Sequence, residues 1–139
     1  PRVRDVCAFS LRRFNLPRQE LRDRVDAALE RFGLSDKADA SPHTLSGGEK
    51  QLLALASVLV IRPETIIADE PTTLLDLRNR RRIIRELDAL DQQLIVVTHD
   101  LDMLRGFDRV ICINDGELAY DGNPDEAIAF YTELMEQTS

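Results

Sequence analysis

The 139-residue sequence is poor in cysteine and has no long apolar run. Cys7 and Cys112 are far apart and have apolar neighbours, which is typical of small buried side chains in a reducing compartment and argues against a disulfide framework. No stretch reaches the roughly 18 apolar residues of a membrane span, and no charged-then-apolar leader opens the chain. We therefore expect a cytosolic protein. Because Pro1 is not an initiator Met, we also expect that the natural protein begins upstream.

Clusters of basic residues are scarce as well. The formal net charge is −7, which argues against a nucleic-acid partner, because phosphate contacts need clustered Lys and Arg. The only dense basic run, Arg80 to Arg82, falls in a helical pattern with Arg78, Arg85 and Glu86. We interpret it as a solvated, partly salt-bridged helix face. The 43% of hydrophobic residues is enough for one core, so we expect one domain or part of one.

The first 45 residues predict a small helical unit. Apolar positions at helical spacing indicate a helix from about Arg18 to Phe32, and Gly33 follows where a helix end favours positive φ. Val3 to Leu11 predicts a shorter helix, and residues 33–43 read as a linker.

After Ser46 the pattern predicts alternating helices and strands. A helix that is apolar nearly all round, and therefore buried on most sides, ends at Pro63. The continuous apolar runs at 65–68 and 94–97 are typical of parallel strands covered on both faces, with a crossover helix at 77–90 between them.

The rest of the chain predicts a third strand and a hairpin. Residues 110–113 form the strand, a tight turn at Asp115 and Gly116 leads into a short returning strand, and Asn123 caps a closing helix to about Met135. The fold class is therefore α/β.

Two adjacent glycines follow Ser46 at the start of the apolar helix. Ser46 and Glu49 have the spacing of a capping box, which explains the serine but not Gly47 and Gly48, since glycine costs roughly 1 kcal/mol in a helix. Backbone without side chains at a helix N-terminus lets an anion approach closely. The capping box and a phosphate contact both stay open.

Two adjacent acids follow the strand at 65–68. Asp69 and Glu70 are expected at the carboxyl end of that strand, where open α/β sheets bind ligands, and His99 follows the neighbouring strand at the same edge. An acid for Mg²⁺, a base for water and a donor for a γ-phosphate form a coherent site. His43 lies in the linker without such neighbours and is interpreted as incidental.

Four motifs in order resemble those of ABC-type ATPases. They are the signature motif, the Walker B strand, the D-loop and the H-loop, represented by "LSGGEKQ" at 45–51, "TIIADEP" at 65–71, "LLD" at 74–76 and "THD" at 98–100. The resemblance implies part of a P-loop NTPase (ABC ATPase) fold. Residues 1–62 would be the helical subdomain with the signature motif, and residues 63–139 part of a parallel-sheet RecA-like core.

The resemblance also implies roles for single residues. Asp69 would hold Mg²⁺ through water, Glu70 would orient and deprotonate the attacking water, and His99 would contact the γ-phosphate. The family hydrolyses ATP between two head-to-tail subunits, and Asp76 would couple the two sites. The signature residues expected to contact the ATP of the opposite subunit are Ser46, Gly47, Gly48 and Gln51.

Some departures from the common pattern resemble the ATPases of energy-coupling-factor importers of the cobalt, nickel or biotin type. These are Leu52 after the signature, "ASVLVIRPE" at 56–64 and "TLLDLRNRRRI" at 73–83. The resemblance implies an ATP-hydrolysing subunit on the inner face of the cell membrane, where transmembrane partners import a metal ion or vitamin. The alternatives are a soluble ABC ATPase in DNA repair or translation, and a non-catalytic interaction module.

The Walker A loop is absent from these 139 residues. It needs Gly-Lys followed by Ser or Thr, whereas Lys37 and Lys50 are followed by Ala38 and Gln51. The Q-loop glutamine of the family is missing too. The chain therefore resembles the C-terminal part of such an ATPase, and we expect it to be inactive alone, to bind ATP poorly and to self-associate through unpaired strand edges.

Overall fold

The computed structural model describes residues 1–138, which form two units. The first unit is Pro1–Val97, and its described residues contain four helices and two strands. The second begins at Thr98, and two helices and two strands are described there. The division expected from the motifs, between residues 62 and 63, stays a prediction.

The helices of the first unit confirm the sequence periodicity. They are α1 (Val3–Phe9), α2 (Arg18–Arg31), α3 (Gly47–Leu59) and α4 (Leu77–Asp88). Gly33 follows α2 with φ 69°, as a helix end of this kind requires. The predicted linker contains two short 3-10 turns, Ser35–Lys37 and Pro42–Thr44.

Helices α1, α2 and α3 pack against one another around an apolar core. Its largest fully buried side chains are Phe32, Leu11, Leu29, Leu34, Leu52, Val3 and Cys7. Burial of one such Leu or Phe side chain contributes about 2 kcal/mol. Cys7 is buried, as predicted, and is a free thiol whose pKa burial raises to about 11.

Strands β1 (Thr65–Asp69) and β2 (Gln93–Val97) pair in parallel on either side of α4 in the chain. This confirms the predicted strand, helix, strand order. Successive strand residues point to opposite faces. Ile66 is 3% exposed, but Ile67 is 71% exposed, and on β2 both Ile95 and Val97 are exposed.

The prediction that both faces of this sheet are covered is therefore wrong for the described residues. A continuous apolar run shows that a strand can be buried on two faces, but it does not show what covers them. Helix α3, by contrast, is buried on most sides, as predicted. Its exposed residues, Gly47, Lys50, Ala54 and Val58, recur at helical spacing along one side, and its other residues are buried or half-buried.

The basic run on α4 is predicted to be a solvated, partly salt-bridged face, and one of its residues departs from that prediction. Arg82 is half-buried, and its guanidinium donates a hydrogen bond of 2.9 Å to the carbonyl oxygen of Phe32, the residue after α2. Carbonyls at a helix C-terminus have no partner within the helix. Arg82 therefore satisfies one of them and ties α4 to α2.

The second unit is a hairpin packed against a helix. It contains α5 (Leu101–Leu104), β3 (Val110–Asn114), β4 (Glu117–Gly122) and α6 (Pro124–Gln137). The third strand, β3, pairs in antiparallel with β4. Asp115 and Gly116 have φ of 51° and 79° at the turn, and the Asn123 side chain accepts from the backbone of Glu126, so both predicted features are confirmed.

No helix among residues 1–138 is long and apolar enough to cross a membrane.

Candidate functional site

The N-terminus of α3 contains the predicted capping box. Ser46 Oγ accepts a hydrogen bond of 3.2 Å from the backbone of Glu49, and Glu49 Oε1 accepts one of 3.0 Å from the backbone of Ser46. Glu49 also forms an ion pair with Lys37. The hydrogen bond from Lys37 and the one from the Ser46 backbone lower the pKa of Glu49 to about 2, so this carboxylate stays charged as the cap requires.

The two glycines after the cap have different surroundings. A Cβ on Gly47 would meet nothing within 4 Å, and the residue is exposed. Gly48 is buried, and a Cβ there would lie 2.3 Å from Cγ and Oδ1 of Asn79. Gly47 is therefore open to an approaching ligand, whereas the missing side chain of Gly48 makes room for Asn79.

Gln51 connects α3 to the loop that follows β1. Its side-chain nitrogen donates a hydrogen bond of 2.7 Å to the carbonyl oxygen of Pro71. Pro71 is buried and directly follows the two candidate acids. The amide of Gln51 thus positions the acidic loop relative to α3.

The two acids lie at the carboxyl end of β1, as predicted. Asp69 is the last residue of β1, is exposed, and pairs in register with Val97 at the end of β2. The Glu70 N–H donates a hydrogen bond of 2.7 Å to the Val97 carbonyl, and Glu70 has φ of 49°. A positive φ in a residue with a side chain costs of order 1 kcal/mol, and such strain is common at functional sites. Thr73 Oγ1 donates to Glu70 Oε2 at 3.4 Å.

Asp76 caps α4. Its Oδ1 accepts a hydrogen bond of 2.8 Å from the backbone of Asn79. Asp76 is exposed, so its second oxygen can accept from a further donor.

His99 lies in the second unit, in the segment between β2 and α5. It is exposed, and its neighbours form a turn in which the backbone of Asp100 donates to Thr98 Oγ1 at 3.0 Å. The first unit contains the signature residues, Asp69, Glu70 and Asp76, whereas His99 belongs to the second unit.

These residues fit a nucleotide and a hydrated Mg²⁺ ion in their chemistry. Asp69 is an exposed carboxylate at a strand end, and Mg²⁺ bound through water needs few direct protein ligands. The first turn of α3 has N–H groups without carbonyl partners in the helix, next to the open side of Gly47. No group of three or more His, Cys, Asp or Glu side chains in residues 1–138 forms a closed metal site.

Sequence reasoning did not identify Asn79, Arg82 or Lys37 as contacts of this region. Their partners are Gly48, Phe32 and Glu49, and all three pairs are distant in sequence. The only signal was indirect: a glycine inside a helix start needs a close neighbour or a ligand, and the sequence does not name the neighbour.

A family profile and several similar proteins all point to the same protein family. The ABC transporter family profile matches residues 3–73. A Deinococcus radiodurans protein described as an ABC transporter ATP-binding protein is 50% identical over 135 residues. The biotin transport ATP-binding protein BioM of Rhizobium etli is 46% identical over 134 residues. The energy-coupling factor transporter ATP-binding protein EcfA1 of Lacticaseibacillus paracasei is 42% identical over 137 residues.

These alignments cover almost all of this chain but only part of each relative. They include 97%, 96% and 96% of the chain, and the chain spans 60%, 60% and 49% of the three relatives. The solved structure of cbiO1 from Clostridium perfringens, part of the ABC transporter complex cbiONQ, is 35% identical, with a TM-score of 0.78 over 94% of this chain and 54% of that one. The resemblance to energy-coupling-factor ATPases is therefore confirmed. This chain belongs to the ABC transporter family, and its fold is part of the ABC-type P-loop NTPase fold.

Proposed function

We propose that this chain is part of the ATP-hydrolysing subunit of an energy-coupling-factor importer that moves a metal ion or a vitamin. The observation that carries the proposal is the arrangement in the first unit. Gly47 faces open space at the capped start of α3, and Asp69 and Glu70 lie together at the carboxyl end of β1. The relatives support it, since BioM is named for biotin transport and EcfA1 for energy-coupling factor transport.

In the proposed reaction each residue has one task. Mg-ATP would supply the phosphoanhydride bond that is cleaved. Asp69 holds the hydrated cation, Glu70 orients and deprotonates water, and His99 donates to the γ-phosphate. Ser46, Gly47, Gly48 and Gln51 form the signature surface toward the ATP of a second ATPase subunit.

The proposed partners are that second subunit, arranged head to tail, and transmembrane subunits at the inner face of the cell membrane. Asp76 connects the two ATP sites, because it lies on an exposed helix cap beside the signature. A soluble ABC ATPase or a non-catalytic module would leave the transmembrane partners out. Co-purification of the tagged full-length protein with membrane subunits is therefore expected, and a purely soluble population would contradict the importer assignment.

The catalytic assignment is tested by Glu70→Gln in the full-length protein that carries these residues. We expect ATP-dependent dimerisation to persist while ATP turnover falls by at least about 100-fold, as for loss of a general base. The matched control is Glu64→Gln, which changes an exposed glutamate just before β1 and should leave turnover within about twofold. Unchanged turnover in the Glu70 variant would remove this residue from catalysis.

A further inference from the structure

Asn79 contacts the candidate site at two points. A Cβ on Gly48 would lie 2.3 Å from Cγ and Oδ1 of Asn79 and 2.8 Å from its Nδ2. These distances are shorter than any real contact between carbon and such atoms, so the Asn79 side chain occupies the space next to the Gly48 Cα. A side chain at position 48 would have to displace it.

The backbone of the same residue contacts the second motif. The Asn79 N–H donates a hydrogen bond of 2.8 Å to Asp76 Oδ1, which fixes the first turn of α4. Asn79 is half-buried and lies in that turn. One residue therefore contacts the signature helix through its side chain and Asp76 through its backbone.

The Asn79 side chain packs against Gly48 but not against Gly47, so the two glycines have different surroundings. The side of Gly48 where a Cβ would project is covered by Asn79, while its N–H stays in the first turn of α3, where it has no carbonyl partner in the helix. Gly47 has open space on its own side. Glycine at position 48 thus leaves room for the Asn79 amide within the subunit, in addition to any ligand contact of its backbone.

We propose that Asn79 is a positioning residue that seats the start of α3 on the start of α4. It holds Ser46, Gly47 and Gly48 in a fixed relation to Asp76, so that the two surfaces facing the second subunit are presented together. The inference rests on the proposed function, because only a nucleotide shared between subunits gives this fixed relation a catalytic consequence. Asn79 itself touches no reacting atom.

The test is a double-mutant cycle in the full-length protein. Asn79→Ala, Gly48→Ala and the double variant are compared for kcat, the KM for ATP and Tm. Asn79→Ala should lower kcat about tenfold and leave KM within about twofold, since a positioning residue acts after ATP has bound. Arg78→Ala, an exposed neighbour on α4, is the matched control and should change neither value beyond about twofold.

The cycle gives a result that a general loss of stability does not give. Gly48→Ala alone should lower both kcat and Tm, because its methyl group collides with Asn79. The double variant should recover Tm to the level of Asn79→Ala, because that change removes all three colliding atoms. A double variant whose Tm falls by the sum of the two single losses would overturn the proposal, as would a raised KM with unchanged kcat in Asn79→Ala.

The outcomes also separate this inference from the proposed function. If the unmodified full-length protein shows no ATP turnover, the proposed function and the catalytic role of Asn79 both fail. The Tm values of the same four proteins then still decide the contact. A Tm that Asn79→Ala does not restore in the Gly48→Ala background shows that the two residues do not pack together.

Discussion

Leu74 combines a strained backbone with a fully exposed side chain. Its φ is 65°, and its side chain is 100% exposed, between Glu70 and Asp76 in the chain. The left-handed conformation costs an L-residue about 1–2 kcal/mol, and an exposed leucine recovers nothing from burial. Such strain is most often retained where a loop has to present its residues in one geometry.

We predict that Leu74→Gly stabilises the chain by roughly 0.5–1 kcal/mol. Glycine adopts positive φ without the steric cost, and only part of the gain is lost to its greater freedom in the unfolded state. The free energy of unfolding in urea measures the change. Leu77→Gly is the control, because Leu77 is also exposed but helical, and its replacement should destabilise by up to about 1 kcal/mol. A destabilised Leu74→Gly protein would contradict the strain argument.

At the level of single residues, the sequence predicted those contacts whose partners are local. The Ser46 and Glu49 capping box lies within one turn, so its spacing alone predicts it. Gly47 and Gly48 looked equivalent, because the sequence does not show that Asn79 packs on only one of them. The carboxylates at 69 and 70 were placed correctly, since strand polarity determines the edge at which a strand ends.

Helix α3 begins at the ion pair of Glu49 and Lys37, which is lost when Glu49 is protonated. Glu49 accepts from the backbone of Ser46 and from Lys37, and its pKa falls from 4.5 to about 2. A carboxylate whose pKa is lower in the folded than in the unfolded chain stabilises the fold at any pH at which it is charged in both. This contribution is complete above about pH 4.5 and is lost as the pH falls toward 2.

We predict that Tm declines between pH 4.5 and pH 2 and that Lys37→Met weakens this decline. Lys37 is the largest cause of the lowered pKa, so without it Glu49 titrates closer to its ordinary value. Thermal unfolding followed by circular dichroism across this range measures the effect. Lys50→Met is the control, because Lys50 lies exposed on the same helix and should leave the decline unchanged. Equal slopes in the wild type and Lys37→Met would contradict the prediction.

Among whole elements, type and order were predictable and coverage was not. The runs at 65–68 and 94–97 predicted parallel strands, and the register from Thr65 to Asp69 confirms them. The hairpin followed from Asp115 and Gly116, whose positive φ suits the turn. The sequence could not show that one sheet face is open, because the pattern records how apolar a strand is and not which partner lies on it.

The molecule as a whole exposes apolar strand faces in both of its units. In the first unit these residues are Ile67, Ile95 and Val97, and in the second they are Ile111, Ile113 and Leu118. Exposed apolar faces beside unpaired strand edges favour association with other chains. The chain spans 49–60% of the length of these relatives, and it contains no Gly-Lys-Ser/Thr sequence.

We predict that the 139-residue chain alone forms concentration-dependent oligomers and binds Mg-ATP only weakly. Sedimentation velocity at several concentrations and calorimetric titration with Mg-ATP measure the two properties. Ile95→Lys should reduce association by placing a charge on the open face of β2. Phe9→Lys changes an exposed apolar residue on α1 and serves as the control. A monomer with micromolar affinity for Mg-ATP would contradict both parts.

The Arg82 side chain has a mechanical consequence. Arg82 and Asn79 lie about one turn apart on α4 and contact two different helices. Arg82 donates to the Phe32 carbonyl at the end of α2, and Asn79 packs against Gly48 at the start of α3. A swing of the helical segment about residues 60–64 would have to break that hydrogen bond and empty the space at Gly48. These two contacts therefore hold α4 against both α2 and α3.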